Sequence, residues 1–175
     1  MTDDDRRERN RTKVQEAHLG FQVPLLAVLG DLEVAGYRPR IQACWRSPAD
    51  QAAAKASGHS KLAWGYHNAT GLDGSPEALA ADVLDDDHPL DPSRDFLFAL
   101  ARSARQRGLE TGIDWGVPPE IRSALVVFLS GEAPGSAWVN ADGTPGKVGW
   151  DPNHVQIRGI SVAKARAGER PMVTA

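Results

Sequence analysis

Five histidines and a good supply of aspartates are the residues of this chain best suited to hold a metal ion. Zinc takes three or four ligands from His, Cys and carboxylates, and a catalytic site keeps one position open. With a single cysteine, Cys44, any such site here must be built from His and carboxylate. The candidates are His18, His59, His67, His88 and His154. Asp-x-x-His occurs twice, at Asp85/His88 and at Asp151/His154, and only context separates the two. Asp85-Asp86-Asp87-His88-Pro89 reads as a polar turn whose acids are simply solvated. His154 instead opens an alternating run, with His154 and Gln156 on one face and Val155 and Ile157 toward the core. On an ideal strand Asp151 and His154 would point to opposite faces, so Pro152-Asn153 must turn the chain if both serve one site. Asp82 is the one charge in an apolar stretch, residues 80–84. A buried carboxylate needs a partner: a metal, an Arg, or a turn that it caps. His67, taken alone, reads more readily as a hydrogen-bonded loop histidine than as a ligand.

The elements that must position these residues follow from periodicity and punctuation. Residues 1–10 are charged and read as a flexible, solvated start. Residues 12–35 carry a helical pattern with Pro24 as its expected break or kink and Gly36 as its C-cap. Residues 37–45 read as a strand, with Ile41 and Ala43 on one face and Gln42 and Cys44 on the other. Ser47-Pro48-Ala49-Asp50 is a helix start, and Gly58 ends that helix. Residues 59–74 should be irregular and residues 77–84 a second strand. Residues 92–107 form a helix with Phe96, Leu97, Leu100, Ala101 and Ala104 inward. Residues 109–115 read as a short strand or loop, and a helix starts at Pro118-Pro119-Glu120. Residues 131–149, rich in Gly and Pro, form a long loop. A last strand spans residues 154–160, and residues 163–175 are a loose C-terminal tail. The expectation is one α+β domain over residues 11–162, with helices packed on a central antiparallel sheet.

The bulk properties exclude more than they assign. A chain of 175 residues is long enough for one domain with a real core. A net charge of -3 gives no pull toward nucleic acid or an anionic membrane. No stretch approaches the length of a membrane-spanning helix. The charged N-terminus does not read as a signal peptide, so the chain is expected to be cytoplasmic as made. Cys44 reads as a small buried hydrophobe. Three of the five tryptophans, Trp45, Trp64 and Trp150, stand close in sequence to the candidate residues and could wall a binding site or fill the core.

Taken in order, Trp45-Arg46-Ser47 followed by Gln51, then His67, Ala81-Asp82 and Asp151-x-x-His154, the chain resembles the zinc-dependent peptidoglycan peptidases. That family includes D-Ala-D-Ala carboxypeptidases and dipeptidases and the L-alanyl-D-glutamate endopeptidases of phage endolysins. The resemblance spans residues 32–160. It implies the small Hedgehog/D-Ala-D-Ala-peptidase-like α+β fold. It also implies that His67, Asp82 and His154 are zinc ligands and that Asp151 is the catalytic carboxylate. Arg46 would bind or polarise the substrate, with Gln51 supporting it and Trp150 lining the substrate site. The reaction implied is hydrolysis of an amide bond involving a D-amino acid in the peptide stem. Asp151 would take a proton from water acidified by zinc and return it to the leaving amine.

The chain departs from the family pattern in three places. Gly65 stands where the family has Ser two residues before the histidine. The gap from His67 to Asp82 is longer than usual, through residues 68–77, and Asp73-Gly74 supplies a turn signal that could return the chain. If it did not, Asp73 would be the rival ligand. The catalytic acid is Asp rather than Glu, which resembles the endolysin branch. The competing class is a non-catalytic wall-binding or regulatory domain that keeps the fold and metal. A monomer is expected, reaching the wall after release or export, as a phage lysin or a secreted effector does.

Overall fold

The computed structural model describes residues 1–58 and 60–173, so His59 lies outside the described residues. The chain runs α1 (Asp3–Val14), α2 (Leu19–Val34), β1 (Pro39–Ala43), α3 (Pro48–Ala56), a 3-10 turn (Tyr66–Asn68), β2 (Ala80–Asp85) and α4 (Arg94–Gln106). It continues through β3 (Leu109–Gly112), α5 (Pro119–Leu129), β4 (Asp151–Ile157) and α6 (Val162–Arg166). The strands form one sheet in the order β1-β2-β4-β3, every neighbouring pair antiparallel. This is the α+β class expected from the pattern.

Strand alternation divides the sheet into two faces. Ala81, Val83 and Val155 are fully buried and belong to one core with Phe21, Leu25 and Val28 of α2 and Phe96, Leu100 and Ala104 of α4. Asp82 and His154 lie between these core positions in sequence, so their side chains leave on the opposite face. They are also direct partners across β2 and β4.

Helix formation follows local chemistry, with two corrections at the N-terminus. The first ten residues are not a loose start: Thr2 caps α1 by accepting from the Asp5 N–H, and Asp3, Asp4 and Asp5 occupy its first turn. This helix covers the outer edge of β1. Asn10 Nδ2 donates to the Pro39 carbonyl at 2.9 Å, and its Oδ1 accepts from the Ile41 N–H at 2.8 Å. Arg9 Nε donates to the Ile41 carbonyl at 3.1 Å. One amide side chain thus occupies the hydrogen-bonding groups that would otherwise invite another strand. Buried Arg6 anchors the contact through Glu33 at 2.7 Å and the Pro39 carbonyl at 3.0 Å.

The break between α1 and α2 falls at residues 15–18, not at Pro24, which sits inside α2. There the backbone pairs with Ala78 instead of continuing the helix: the His18 N–H donates to the Ala78 carbonyl, and the Ala78 N–H to that of Glu16. The C-terminal segment is likewise ordered through its described part. Ser161 caps α6, and Arg170 donates to Glu77 at 2.9 Å and to the Thr70 carbonyl at 2.6 Å. The acid run after β2 is also not simply solvated. Asp85 is buried, Asp86 pairs with Arg40 at 2.9 Å, and Asp87 pairs with Arg38 at 2.6 Å.

Two bulges bend the sheet beside the candidate residues. On β1, Ile41 faces Val83 but Ala43 faces Asp82, leaving Gln42 as the extra residue. This is why Ile41 and Cys44 are both fully buried although simple alternation places them on opposite faces. On β4, Gly112 faces Asp151 while Thr111 faces Val155, so Pro152, Asn153 and His154 are looped between adjacent partners. That is the turn the Asp-x-x-His spacing demanded. It relies on two glycines: a Cβ at Gly112 would lie 2.2 Å from the Asp151 carbonyl oxygen, and one at Gly149 would lie 2.0 Å from that of Gly112. Gly112→Ala is therefore expected to lower stability by roughly 1–3 kcal/mol, as measured by urea unfolding. It should also displace Asp151; wild-type stability would mean that the backbone relaxes there without cost.

Candidate metal centre

His67, Asp82 and His154 converge on one point. Asp82 and His154 arrive side by side on the two central strands. His67 comes from the 3-10 turn, which the neighbouring backbone ties down. The Arg46 N–H donates to the His67 carbonyl at 2.8 Å, and the Leu79 N–H to the Tyr66 carbonyl at 3.0 Å. Asn68 Nδ2 adds a bond to the Arg46 carbonyl at 2.8 Å.

The three inner atoms form a nearly regular triangle. His154 Nδ1 lies 3.1 Å from Asp82 Oδ1, and His67 Nε2 lies 3.4 Å from that same oxygen. The two ring nitrogens are 3.4 Å apart. Donors held roughly 2.0–2.1 Å from a tetrahedral zinc stand about 3.3–3.4 Å from one another. The outer nitrogen of His67, Nδ1, is 2.5 Å from the Cys44 carbonyl oxygen. A carbonyl only accepts, so the proton sits on Nδ1, and Nε2 presents a lone pair to the centre. The donor set and its spacing fit zinc.

Charge follows the same geometry. Burial alone would raise the Asp82 carboxyl, but the imidazoles of His67 and His154 hold it far below the usual carboxylate range. Burial would lower His154, yet the hydrogen bond and charge of Asp82, with Asp151 adding to them, raise it. Arg46 Nη2 sits 3.2 Å from the second oxygen of Asp82, which leaves Oδ1 to the centre.

The remaining expected site residues surround this point. Asp151, partly buried at the start of β4, lies within electrostatic reach of His154, Asp82, His67 and Arg46. Its carboxyl is raised by burial, against the pull of His154. Gln51 is 2% exposed and stands behind Arg46: its Oε1 accepts from Arg46 at 3.3 Å, while its Nε2 donates to Ser60 and to the Leu62 carbonyl. Trp150 is exposed, with Lys61 over its ring at 5.6 Å. Trp45 and Trp64 pack against the two core clusters.

The alternatives fall away from the centre. Asp73 is bonded to Ser75 in a turn, and the residue 68–77 insert closes on itself through a Thr70–Pro76 bridge. His18 caps α2. Neither His88 nor Asp85 joins a metal-binding group among the described residues. Cys44 is buried, and burial pushes its thiol up to about 12, so it is no nucleophile. A Cβ at Gly65 would meet only Leu62 Cδ1, at 3.7 Å, so packing does not demand glycine there.

Sequence reasoning did not single out Trp115, whose ring lies 5.1 Å from His154 and 5.3 Å from Trp150. It also did not find the pair behind His154. Gln156 Oε1 is 3.0 Å from His154 Nε2, and Gln156 Nε2 is 2.5 Å from Glu110 Oε1. The shared strand face of His154 and Gln156 was a signal; Glu110 offered none until strand pairing was known.

No family model matches the chain, and no curated protein does. Among solved structures it is similar to the Serratia marcescens L-Ala D-Glu endopeptidase ChiX, with a TM-score of 0.46 and 19% identity over 85% of this chain and 86% of that one.

A metal ion held at this centre would bind the folded chain and so would stabilise it. Zinc at a hundredfold excess over its Kd should add about 2.7 kcal/mol to the unfolding free energy, as read by chemical denaturation. His154→Ala should abolish that increment, whereas His88→Ala should keep it. An equal increment in His154→Ala would remove that residue from the centre.

Proposed function

We propose that this chain is a zinc-dependent peptidase of bacterial peptidoglycan, cutting an amide bond that involves a D-amino acid in the peptide stem. The observation that supports it best is the triangle of His67 Nε2, Asp82 Oδ1 and His154 Nδ1, with 3.1–3.4 Å sides that suit zinc. The order of motifs from Arg46 to His154 supports the choice of substrate. An L-alanyl-D-glutamate-type endopeptidase is favoured over a D-Ala-D-Ala carboxypeptidase because the Asp-x-x-His form resembles the endolysin branch. Such an enzyme would act as a monomer on the cell wall after release or export.

His67, Asp82 and His154 would hold the ion. When bound, zinc would supply Lewis-acid polarisation and acidify water. Asp151 is the group suited to move protons: it accepts one from water and delivers it to the leaving amine. Its freedom from hydrogen-bond and ion-pair partners among the described residues leaves it available for that role. Arg46, braced by Gln51 and only part-buried, is suited to bind a substrate carboxylate or the developing oxyanion. Trp150, tilted against Trp115, offers an exposed aromatic surface to the substrate.

The test is mass spectrometry of fragments released from purified peptidoglycan, with zinc and with a chelator. Chelator-sensitive fragments are expected, and their masses identify the bond. No release by a folded, zinc-loaded protein would favour a non-catalytic binding domain. Asp151→Ala should retain zinc and lose roughly 10²–10⁴-fold in rate; normal turnover in that variant would exclude Asp151 from the mechanism.

A further inference from the structure

We infer that Glu110 is a positioning residue: through Gln156 it sets which nitrogen of His154 faces the metal centre. The inference rests on the metal-centre reading above. Glu110 and Gln156 are direct partners across β3 and β4, and Gln156 follows His154 by two residues on one strand face. The three side chains form a line, Glu110 Oε1 to Gln156 Nε2 at 2.5 Å and Gln156 Oε1 to His154 Nε2 at 3.0 Å.

An amide beside an imidazole is ambivalent. It can accept from a ring N–H or donate to a ring lone pair, and either tautomer is then satisfied. Glu110 removes the ambivalence, because a carboxylate only accepts. It requires the NH2 group of Gln156 on its own side, so Oε1 must face the imidazole. His154 Nε2 must then keep a proton, so Nδ1, which faces Asp82 and His67, is the nitrogen that can give its proton up to a metal ion. The reversed amide would set two acceptor oxygens 2.5 Å apart and put the His154 proton on Nδ1, where a ligand needs a lone pair. Gln156 is 7% exposed, which leaves little room for water to restore the pattern. Tyr66, a neighbouring hydroxyl, already donates to the Ile160 carbonyl at 2.5 Å.

Glu110→Gln keeps the shape and removes the polarity. Two readouts test it: 15N NMR of histidine-labelled protein, which follows exchange of the His154 Nε2 proton with solvent, and zinc affinity by chelator competition. In the parent, His154 should hold a slowly exchanging proton on Nε2. In Glu110→Gln that proton should exchange faster, with zinc affinity falling roughly 10–100-fold and the unfolding midpoint little changed. Gln156→Leu should lose affinity similarly, and the double variant no more than Gln156→Leu alone. An unchanged exchange rate in Glu110→Gln, or losses that add in the double variant, overturns the inference. A parent that binds no zinc would defeat the metal-centre reading instead, and the exchange comparison would still decide the role of Glu110.

Discussion

The convergence of His67 Nε2, Asp82 Oδ1 and His154 Nδ1 is the constraint on which the rest of the structure depends. A lone pair, a carboxylate and a second ring nitrogen repel one another at such distances unless a positive charge lies among them. The same closeness governs the charges of the side chains. Asp82 is drawn well down and His154 is drawn up, each against its own burial. Arg46 answers only half of it, since its guanidinium is on Oδ2 and leaves Oδ1 facing the imidazoles.

Holding such a cluster needs a frame that does not slip. Asp82 and His154 sit opposite each other on the two inner strands, flanked by core residues Ala81, Val83 and Val155. A one-residue slip would put the charged pair into the helix-covered core and bring Val83 or Val155 to the site, so the hydrophobic pattern that folds the sheet also fixes its register. The outer strand β1 is secured by side chains of α1, with Asn10 bonded to backbone groups on both sides of Arg40. Residues far from the centre therefore contribute to its rigidity, and the charged opening of the chain, so easily read as solvated, is part of the frame.

Most of the frame and the inner cluster were legible in the sequence, and the exceptions have physical causes. Ser47 before Pro48, Ser93 before α4 and the alternation from His154 to Ile157 act within a few residues, so local pattern suffices. The need for a turn between Asp151 and His154 followed from strand geometry alone, and the bulge in β4 supplies it. What sequence could not give was pairing between distant segments. The helix break at residues 15–18 depends on Ala78. The ordering of residues 1–10 depends on Glu33 and Pro39, and the sharing of one core by Ile41 and Cys44 depends on a bulge opposite β2. Glu110 and Trp115 join the neighbourhood of His154 only once β3 lies against β4.

Asp151 differs from the carboxylates that the fold pairs with a cation. Asp31 is held by Arg107 and Ser103, Asp86 by Arg40, and Asp3 by Arg38. Asp151 is partly buried, its carboxyl is raised by that burial, and no donor reaches it among the described residues. Placing it there also requires a bulged strand and two glycines across which backbones come too close for any side chain. An unpartnered, partly desolvated acid weakens a fold, and a backbone shaped to hold one is more readily understood if the acid serves another purpose. Beside a cluster suited to a metal ion, with Arg46 within electrostatic reach, that purpose is, under the function proposed above, proton transfer.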